Sequence, residues 1–328
     1  MPTSTEERRL AAGLATLDRL AGERGIRLDR YVQLAPMTTL RVGGNADRMA
    51  TPSTTAELLA TLRLARDAGV PAGVLGKGSD IVVADAGIRG LLIRNRADEI
   101  TIDGTAVHSA SGAAMAALVK RCTAAGLAGL EFGISIPGSV GGAVWANAGA
   151  HGGEMRGVVS AVEAWDPGRD ARTTLTNEAC AFGYRESRFK ASGEIVLAGD
   201  LQLSPGVPAE IAERVATHQA QRRATQPLAD QNAGSVFRNP PGDHAGRLVD
   251  SAGLKGHRIG SAEVSTLHAN FIVVDRGGRA SDVRAVGDHV RAVVSERFGV
   301  ELVYEIEFVG DWAPDAAWAT PTGALAGA

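Results

Sequence analysis

Eight of the chain's 41 glycines fall within 27 residues, Gly129 to Met155, in the run GLEFGISIPGSVGGAVWANAGAHGGEM. Glycine costs backbone entropy inside helices and strands, so a cluster this dense marks backbone that turns sharply or approaches something closely. An anionic cofactor is the first candidate for that something. Ser139, Asn147 and the amides from Ile136 to Gly142 are donors to phosphate oxygens that require no lysine or arginine.

With 328 residues and 45% apolar content, the chain can bury a large core and exceeds one typical domain, so two or three domains are expected. A net charge of −3, without interleaved aromatic and basic residues, argues against nucleic acid and for small-molecule chemistry. Cys122 and Cys180 stand apart with no Cys-x-x-Cys, which predicts neither a disulfide framework nor a structural zinc site and fits a reducing cytoplasm. Glu6, Glu7, Arg8 and Arg9 occupy the N-terminus without an apolar h-region. No run reaches the ~18 apolar residues of a membrane span, so a soluble, unexported chain is expected. Only Lys77, Lys120, Lys190 and Lys255 among the 34 basic residues are lysines, a bias that reads as genomic composition.

Leu10, Leu14 and Leu17 recur at helical spacing, and Thr54 with Glu57 forms a capping box for a helix running to Gly69. Short apolar runs follow at 74–75, 81–83, 91–93, 100–102 and 106–107, and a helix over 113–125 interrupts them. Strands near 158–165 and 195–203 complete a mixed α+β region that is not a regular βαβ repeat. Pro205 and Pro208 mark a boundary, and a polar helix to Arg223 comes next. The third region contains a strand over 271–274, a helix over 281–298 closed by Gly299, and a final strand over 301–309. From residue 311 the tail is rich in Ala, Pro and Gly and is expected to be disordered.

Gly76-Lys77-Gly78-Ser79-Asp80 follows a predicted strand, where a phosphate-binding turn would sit. The Rossmann fingerprint fails because position 81 is Ile81, and the P-loop fails because Lys77 is not followed by Ser or Thr. A lone loop of this kind is equally a tight hairpin turn. Two amide-rich loops in one mixed region are nevertheless what a diphosphate needs when it is gripped from both sides without a Rossmann helix.

The ordered blocks Thr39 to Gly44, Gly76 to Asp80, Ile136 to Glu154, Gly183 to Ser187, Gly234 to Pro240, Ala252 to Gly256, Val264-Ser265, His268 to Phe271 and Glu305-Ile306 together resemble the UDP-N-acetylenolpyruvoylglucosamine reductases. These flavoenzymes make UDP-N-acetylmuramate for peptidoglycan, and the resemblance spans about residues 33 to 310. It implies an α+β fold with a vanillyl-alcohol-oxidase-like (PCMH-type) FAD-binding domain and a C-terminal α/β substrate-binding domain. It also implies FAD as cofactor, NADPH as hydride donor and a cytoplasmic enzyme, for which a monomer is expected. The boundaries expected are 1–75 for the N-terminal part of the FAD-binding region, with strand 300–310 a candidate to return to it, 76–205 for the FAD-binding core and 206–310 for the substrate-binding domain. Only Lys190 to Glu194 separates the Tyr-Arg motif from the next strand, which resembles the family's second type, lacking an extra substrate-covering loop. Asp80 stands where the family usually has Asn, and a carboxylate beside a diphosphate repels it, so the neighbouring amides inherit that contact. Arg238 stands for the commoner lysine, with the same charge but another reach.

Reducing an enolpyruvyl ether requires hydride at the terminal carbon and a proton at the carbon bearing oxygen and carboxylate. Negative charge develops between the two events, so a cation near the carboxylate and a positioned proton donor are needed. The resemblance gives these roles to Arg185 and Ser235, with Glu305 as second acid group. Read alone, Arg185 is a surface arginine, Ser235 is turn chemistry without a Gly-x-Ser-x-Gly elbow, and Glu305 joins Glu301 and Glu307 on a solvated strand face. The resemblance further implies cofactor contacts from Arg41, Gly76, Lys77, Gly78, Ser79, Asp80, Pro137, Gly138, Ser139, Gly141, Gly142 and Asn147. Substrate contacts are implied for Tyr184, Arg238, Asn239, Lys255 and His268, with Arg222-Arg223 near Gln226-Pro227 as further contacts. The seven histidines form no metal-ligand spacing, and Trp145 reads as a packing anchor. Two rivals share the pattern: an oxidase of the same flavin fold acting on a sugar or lactone, and a non-catalytic nucleotide-sugar binding protein.

Overall fold

A computed structural model describes residues 5–312. Helix α1 (Thr5–Arg24) buries Leu17 of the predicted apolar stripe, together with Ala21, while Leu10 and Leu14 are partly buried. It packs on α2 (Thr55–Ala68), which opens with the Thr54 hydroxyl accepting from the Glu57 amide and closes on Gly69 at φ +64°. The cap differs from a standard box in one respect: the Glu57 carboxylate reaches the Ser53 amide and hydroxyl, one residue further back.

Two sheets carry the first two-thirds of the chain. One orders Asp29–Gln33, Asn45–Ala50, Ile88–Arg94 and Ala72–Leu75, with the first pair antiparallel and the others parallel. The second is antiparallel throughout, in the order Ala171–Thr176, Val159–Asp166, Ile195–Gln202, Ala106–Ala110 and Ile100–Asp103. Between the strands lie α3 (Met115–Ala124) and α4 (Val140–Trp145), both with buried apolar faces, and the short α5 (Phe189–Ser192) anchored by fully buried Phe189. These elements share one core with α1 and α2. The polar helix α6 (Pro208–Thr225) starts at Pro208, as its missing amide donor favours, and buries only Ile211 completely.

The last third is a three-stranded antiparallel sheet (Arg258–Ile259, Ala262–Val264, Ile272–Val274) packed against α7 (Ala245–Ser251) and α8 (Ala280–Phe298). Its core takes in Leu40, Val42 and Val82 from the N-terminal segments, so the two halves share buried apolar surface. The expected closing strand over 301–309 is shorter: only Glu307–Val309 is a strand, parallel to Ile81–Val83, while Tyr304 forms a single bridge to Phe237. Leu302 and Ile306 are buried and hold this segment extended. Of the tail expected to be disordered, Asp311 donates its amide to the Gly87 carbonyl and the Trp312 indole donates to Val309. The remainder, 313–328, lies outside the described residues. Among the described residues, no helix is long and apolar enough to cross a membrane.

Candidate active site

The two glycine loops meet. A Cβ on Gly138 would stand 3.2 Å from the Ser79 hydroxyl, and one narrow crevice is lined by Gly76, Asn95, Ser111, Ser139, Gly141 and Gly142. Gly78 is at φ +61° and its missing Cβ would meet the Met37 carbonyl oxygen at 2.7 Å, so only glycine fits where this loop crosses the Arg41 loop. The Thr39 amide donates to the Gly78 carbonyl and ties the two loops together. The amides of Lys77, Gly78 and Ser79 have no acceptor among the described residues, and the side chains of Arg41 and Lys77 are exposed without an acidic partner. Unbonded amides beside two free cations form an anion cradle, which fits an FAD diphosphate.

The glycine stretch itself divides into two uses. Gly133 packs on Met115, Gly153 on the Phe132 ring and Gly149 on the Gly153 carbonyl, in each case where a Cβ would come within 2.8 Å. These glycines serve packing, and only the portion 137–142 borders the crevice. Across 136–142 the expected row of free amides is corrected: Ile136 donates to Gly133, Val140 to Ala113 and Gly141 to Ser111, and Gly142 donates to the Ser139 hydroxyl at 3.4 Å. The amides of Gly138 and Ser139 stay open, while Gly141 is needed because a Cβ would strike Ser111 at 2.8 Å. Pro137 is exposed at the start of this portion.

Asn147 is a second correction. It has no exposed surface and sits at φ +44°. Its Nδ2 donates to the Gly183 carbonyl and Glu154, and its Oδ1 accepts from the Arg156 amide. A side chain with no accessible surface touches no cofactor; Asn147 pins the glycine stretch to the Tyr184-Arg185 turn.

That turn is a tight one, closed by reciprocal backbone bonds between Gly183 and Glu186, with Arg185 at φ +55°. A left-handed backbone is uncommon for a residue that is not glycine. The Arg185 Nε lies 2.7 Å from Glu305 Oε1 and its Nη2 donates to the Gly149 carbonyl at 2.9 Å. The guanidinium also lies 5.2 Å from the centroid of the Tyr184 ring. Glu305 therefore leaves the solvated face that alternation predicts, because the strand ends short of it and the segment turns its carboxylate onto Arg185.

Ser235 is next to this pair. The Glu305 amide donates to Val236, the Arg238 amide donates to Val303, and Phe237 bridges Tyr304, so 235–238 runs alongside 303–305. The half-buried Ser235 hydroxyl has no hydrogen-bond partner among the described residues. The segments that carry these three residues, spread over 120 positions of sequence, thus lie side by side, and the Ser235 hydroxyl is left without a partner among the described residues.

The residues implied for substrate surround this centre unevenly. Tyr184 is half exposed, and its hydroxyl accepts from the Asn239 amide. Arg238 pairs with Glu186, and Asn239 Oδ1 accepts from the Ala245 amide at the start of α7. Lys255 pairs with Asp250 2.8 Å away. Burial, and Lys255 nearby, push the His268 imidazole below its ordinary range. Arg222 is half-buried, its side chain donating to Gln226 Oε1, and Arg223 is exposed.

Sequence reasoning missed two supports. Asn270, 4% exposed, accepts from the Phe237 amide, donates to the Phe237 carbonyl, and receives the Val236 amide on its own carbonyl. It clamps the segment that presents Ser235. Its place in the His268 to Phe271 block was visible, but a role for a buried amide is not readable from residue type. Lys190, likewise unassigned, lies 3.1 Å from Glu307 and 4.2 Å from the centroid of buried Trp145.

Comparison with known proteins accounts for this arrangement. The family described as "UDP-N-acetylenolpyruvoylglucosamine reductase, C-terminal domain" matches residues 226–309, and the FAD binding domain family matches residues 46–168. A UDP-N-acetylenolpyruvoylglucosamine reductase of Symbiobacterium thermophilum is 43% identical over 293 residues, covering 88% of this chain and 94% of its own. That of Lactiplantibacillus plantarum is 40% identical over 297 residues, covering 90% and 98%. The crystal structure of the Thermus caldophilus reductase superposes with a TM-score of 0.74 at 37% identity, covering 86% of this chain and 99% of that one. The chain belongs to the UDP-N-acetylenolpyruvoylglucosamine reductase family, with an FAD-binding domain followed by that family's C-terminal domain.

Proposed function

We propose that the protein reduces UDP-N-acetylenolpyruvoylglucosamine to UDP-N-acetylmuramate, a peptidoglycan precursor, with NADPH as hydride donor and FAD as bound cofactor. The observation that carries this reading is the convergence of Arg185, Glu305 and the unpartnered Ser235 hydroxyl. Bound FAD supplies the two-electron carrier between nicotinamide and substrate. The Lys77 to Ser79 amides, those of Gly138 and Ser139, and the Arg41 and Lys77 side chains hold its diphosphate; Gly76, Gly141 and Gly142 let the backbone come close.

Hydride arrives at the terminal carbon of the enolpyruvyl ether, and the electron pair of the double bond moves toward the carboxylate-bearing carbon. Arg185, its Nε held by Glu305 and its Nη2 by Gly149, presents the rest of its planar fork to that carboxylate and stabilises the charge. Ser235 delivers the proton to the carbon bearing oxygen. A hydroxyl is a weak acid, but an enolate-like carbon is a strong base, so placement decides. Tyr184, Arg238, Asn239, Lys255 and His268, with Arg222, form the substrate's surroundings. On this reading residues 206–310 hold the substrate, residues 76–205 form the FAD-binding core with 1–75 as its N-terminal part, and the enzyme is a cytoplasmic monomer.

The test is the visible spectrum of the purified protein under anaerobic conditions. NADPH should bleach the flavin, and the enolpyruvyl substrate should restore its colour. Rapid reoxidation by oxygen without response to that substrate would instead identify an oxidase, and a protein that stays colourless after FAD reconstitution would be a nucleotide-sugar binding protein.

A further inference from the structure

Beside the Arg185–Glu305 pair runs a second pair, Lys190–Glu307 at 3.1 Å, which the reaction above does not use. Both cations come from one segment, 185–190, and both carboxylates from another, 305–307. The pairs are two rungs between the segment after the glycine stretch and the segment that closes the fold. Lys190 is well covered, with its side chain 13% exposed and its ammonium over the Trp145 ring. Backbone bonds fix the same closing segment on its other side: the Glu305 amide donates to Val236 and the Glu307 amide to Asp80.

Asp80 disturbs the charge balance. It precedes strand Ile81–Val83, which pairs with Glu307–Val309, and its carboxyl feels Glu307 and Glu305 as like charges and Lys190 as the opposing one. Among the described residues it makes no hydrogen bond or ion pair with another side chain. Asp80 thus adds a third carboxyl within electrostatic reach of Glu305 and Glu307, with Lys190 as the cation that opposes them there. Burial, with Glu307 adding to it and Lys190 opposing, pushes the Asp80 carboxyl from 3.8 up to about 6.

We propose that the Lys190–Glu307 pair positions Glu305 against Arg185, and that Asp80, whose carbonyl holds the Glu307 amide, weakens this second rung when it carries a charge beside Glu307. The inference rests on the functional reading above. Glu305 is two residues from Glu307, so slack at the second rung is slack in the carboxylate that holds Arg185, and misplacement by about 1 Å costs up to about a hundredfold in rate. Lys190, Glu307 and Asp80 are positioning residues. The sign follows from linkage: the folded chain holds the Asp80 proton more tightly than the unfolded one, so its contribution is complete at acid pH and is lost as pH rises through about 6.

Two measurements test this. In the holoenzyme, Lys190→Met should slow substrate-driven flavin reoxidation roughly tenfold or more, more than it slows reduction by NADPH, with the spectrum of bound FAD unchanged; Lys190→Arg should restore most of the rate. In the apoprotein, the melting temperature of the wild type should fall between pH 4.5 and 7 relative to that of the isosteric Asp80→Asn variant, and the pH profile of reoxidation should flatten in the same variant. Equal loss in both half-reactions, failure of Lys190→Arg to rescue, or parallel melting profiles for wild type and Asp80→Asn would overturn the proposal. A wild type whose reduced flavin ignores the enolpyruvyl ether would defeat the functional reading instead, and the melting profiles would still decide the ladder.

Discussion

Arg185 Nε and Glu305 Oε1 stand 2.7 Å apart although 120 residues separate them, and the arginine that makes the contact sits in a left-handed backbone at φ +55°. The pairing explains how one guanidinium stays aimed: Glu305 takes one donor, the Gly149 carbonyl takes another, and the remaining donors are free for a substrate carboxylate. Arg185→Lys keeps the charge and loses the fork. It should lower the rate of substrate-driven reoxidation by roughly 10²-fold, while reduction by NADPH changes far less, as read by anaerobic stopped-flow absorbance.

Ser235→Ala removes the free hydroxyl without disturbing the backbone bonds around it. Flavin reduction by NADPH should persist, and reoxidation by the enolpyruvyl substrate should slow by roughly 10²–10⁴-fold, the usual worth of a positioned acid. Comparable losses in both half-reactions would remove Ser235 from proton delivery.

Gly78→Ala forces a Cβ to within 2.7 Å of the Met37 carbonyl at a left-handed position. The cost is about 1–3 kcal/mol, and displacement of the loop should release FAD. The ratio of flavin to protein absorbance after gel filtration measures this directly. Gly152→Ala, whose Cβ position is open space although its φ is also positive, should retain the flavin.

Asn270→Ala strips partners from the buried Phe237 amide and carbonyl. Each unsatisfied group costs about 1–3 kcal/mol, so urea denaturation should show a clear drop in midpoint. Because the clamp holds the segment that carries Ser235, the surviving enzyme should also reoxidise more slowly than Gly152→Ala.

Asn147→Ala separates packing from cofactor contact. The side chain is wholly buried and spends its amide on Gly183, Glu154 and Arg156, so the variant should lose thermal stability. Its FAD affinity, measured by flavin fluorescence in the fraction that remains folded, should fall much less than that of Gly78→Ala.

Local chemistry made much of the fold readable in the chain. Thr54 and Gly69 bound α2, Gly299 closes α8 at φ +65°, and Pro208 opens α6, because caps and breakers act within one turn. Ordered motifs likewise pointed to the family and to Arg185, Ser235 and Glu305. Contacts between distant segments decided the rest. Alternation over 301–309 placed Glu305 in solvent, yet its fate was set by Arg185, and the ladder beside it needs Asp80 and Lys190 brought in from elsewhere. The glycines from 129 to 155 are alike in sequence, but whether each borders the crevice or simply lets Phe132, Met115 or Ser111 approach depends on what the folded chain puts opposite it. Backbone conformation and capping are properties of a few neighbouring residues, whereas burial, charge pairing and a free hydroxyl are properties of whichever residues the tertiary fold brings together.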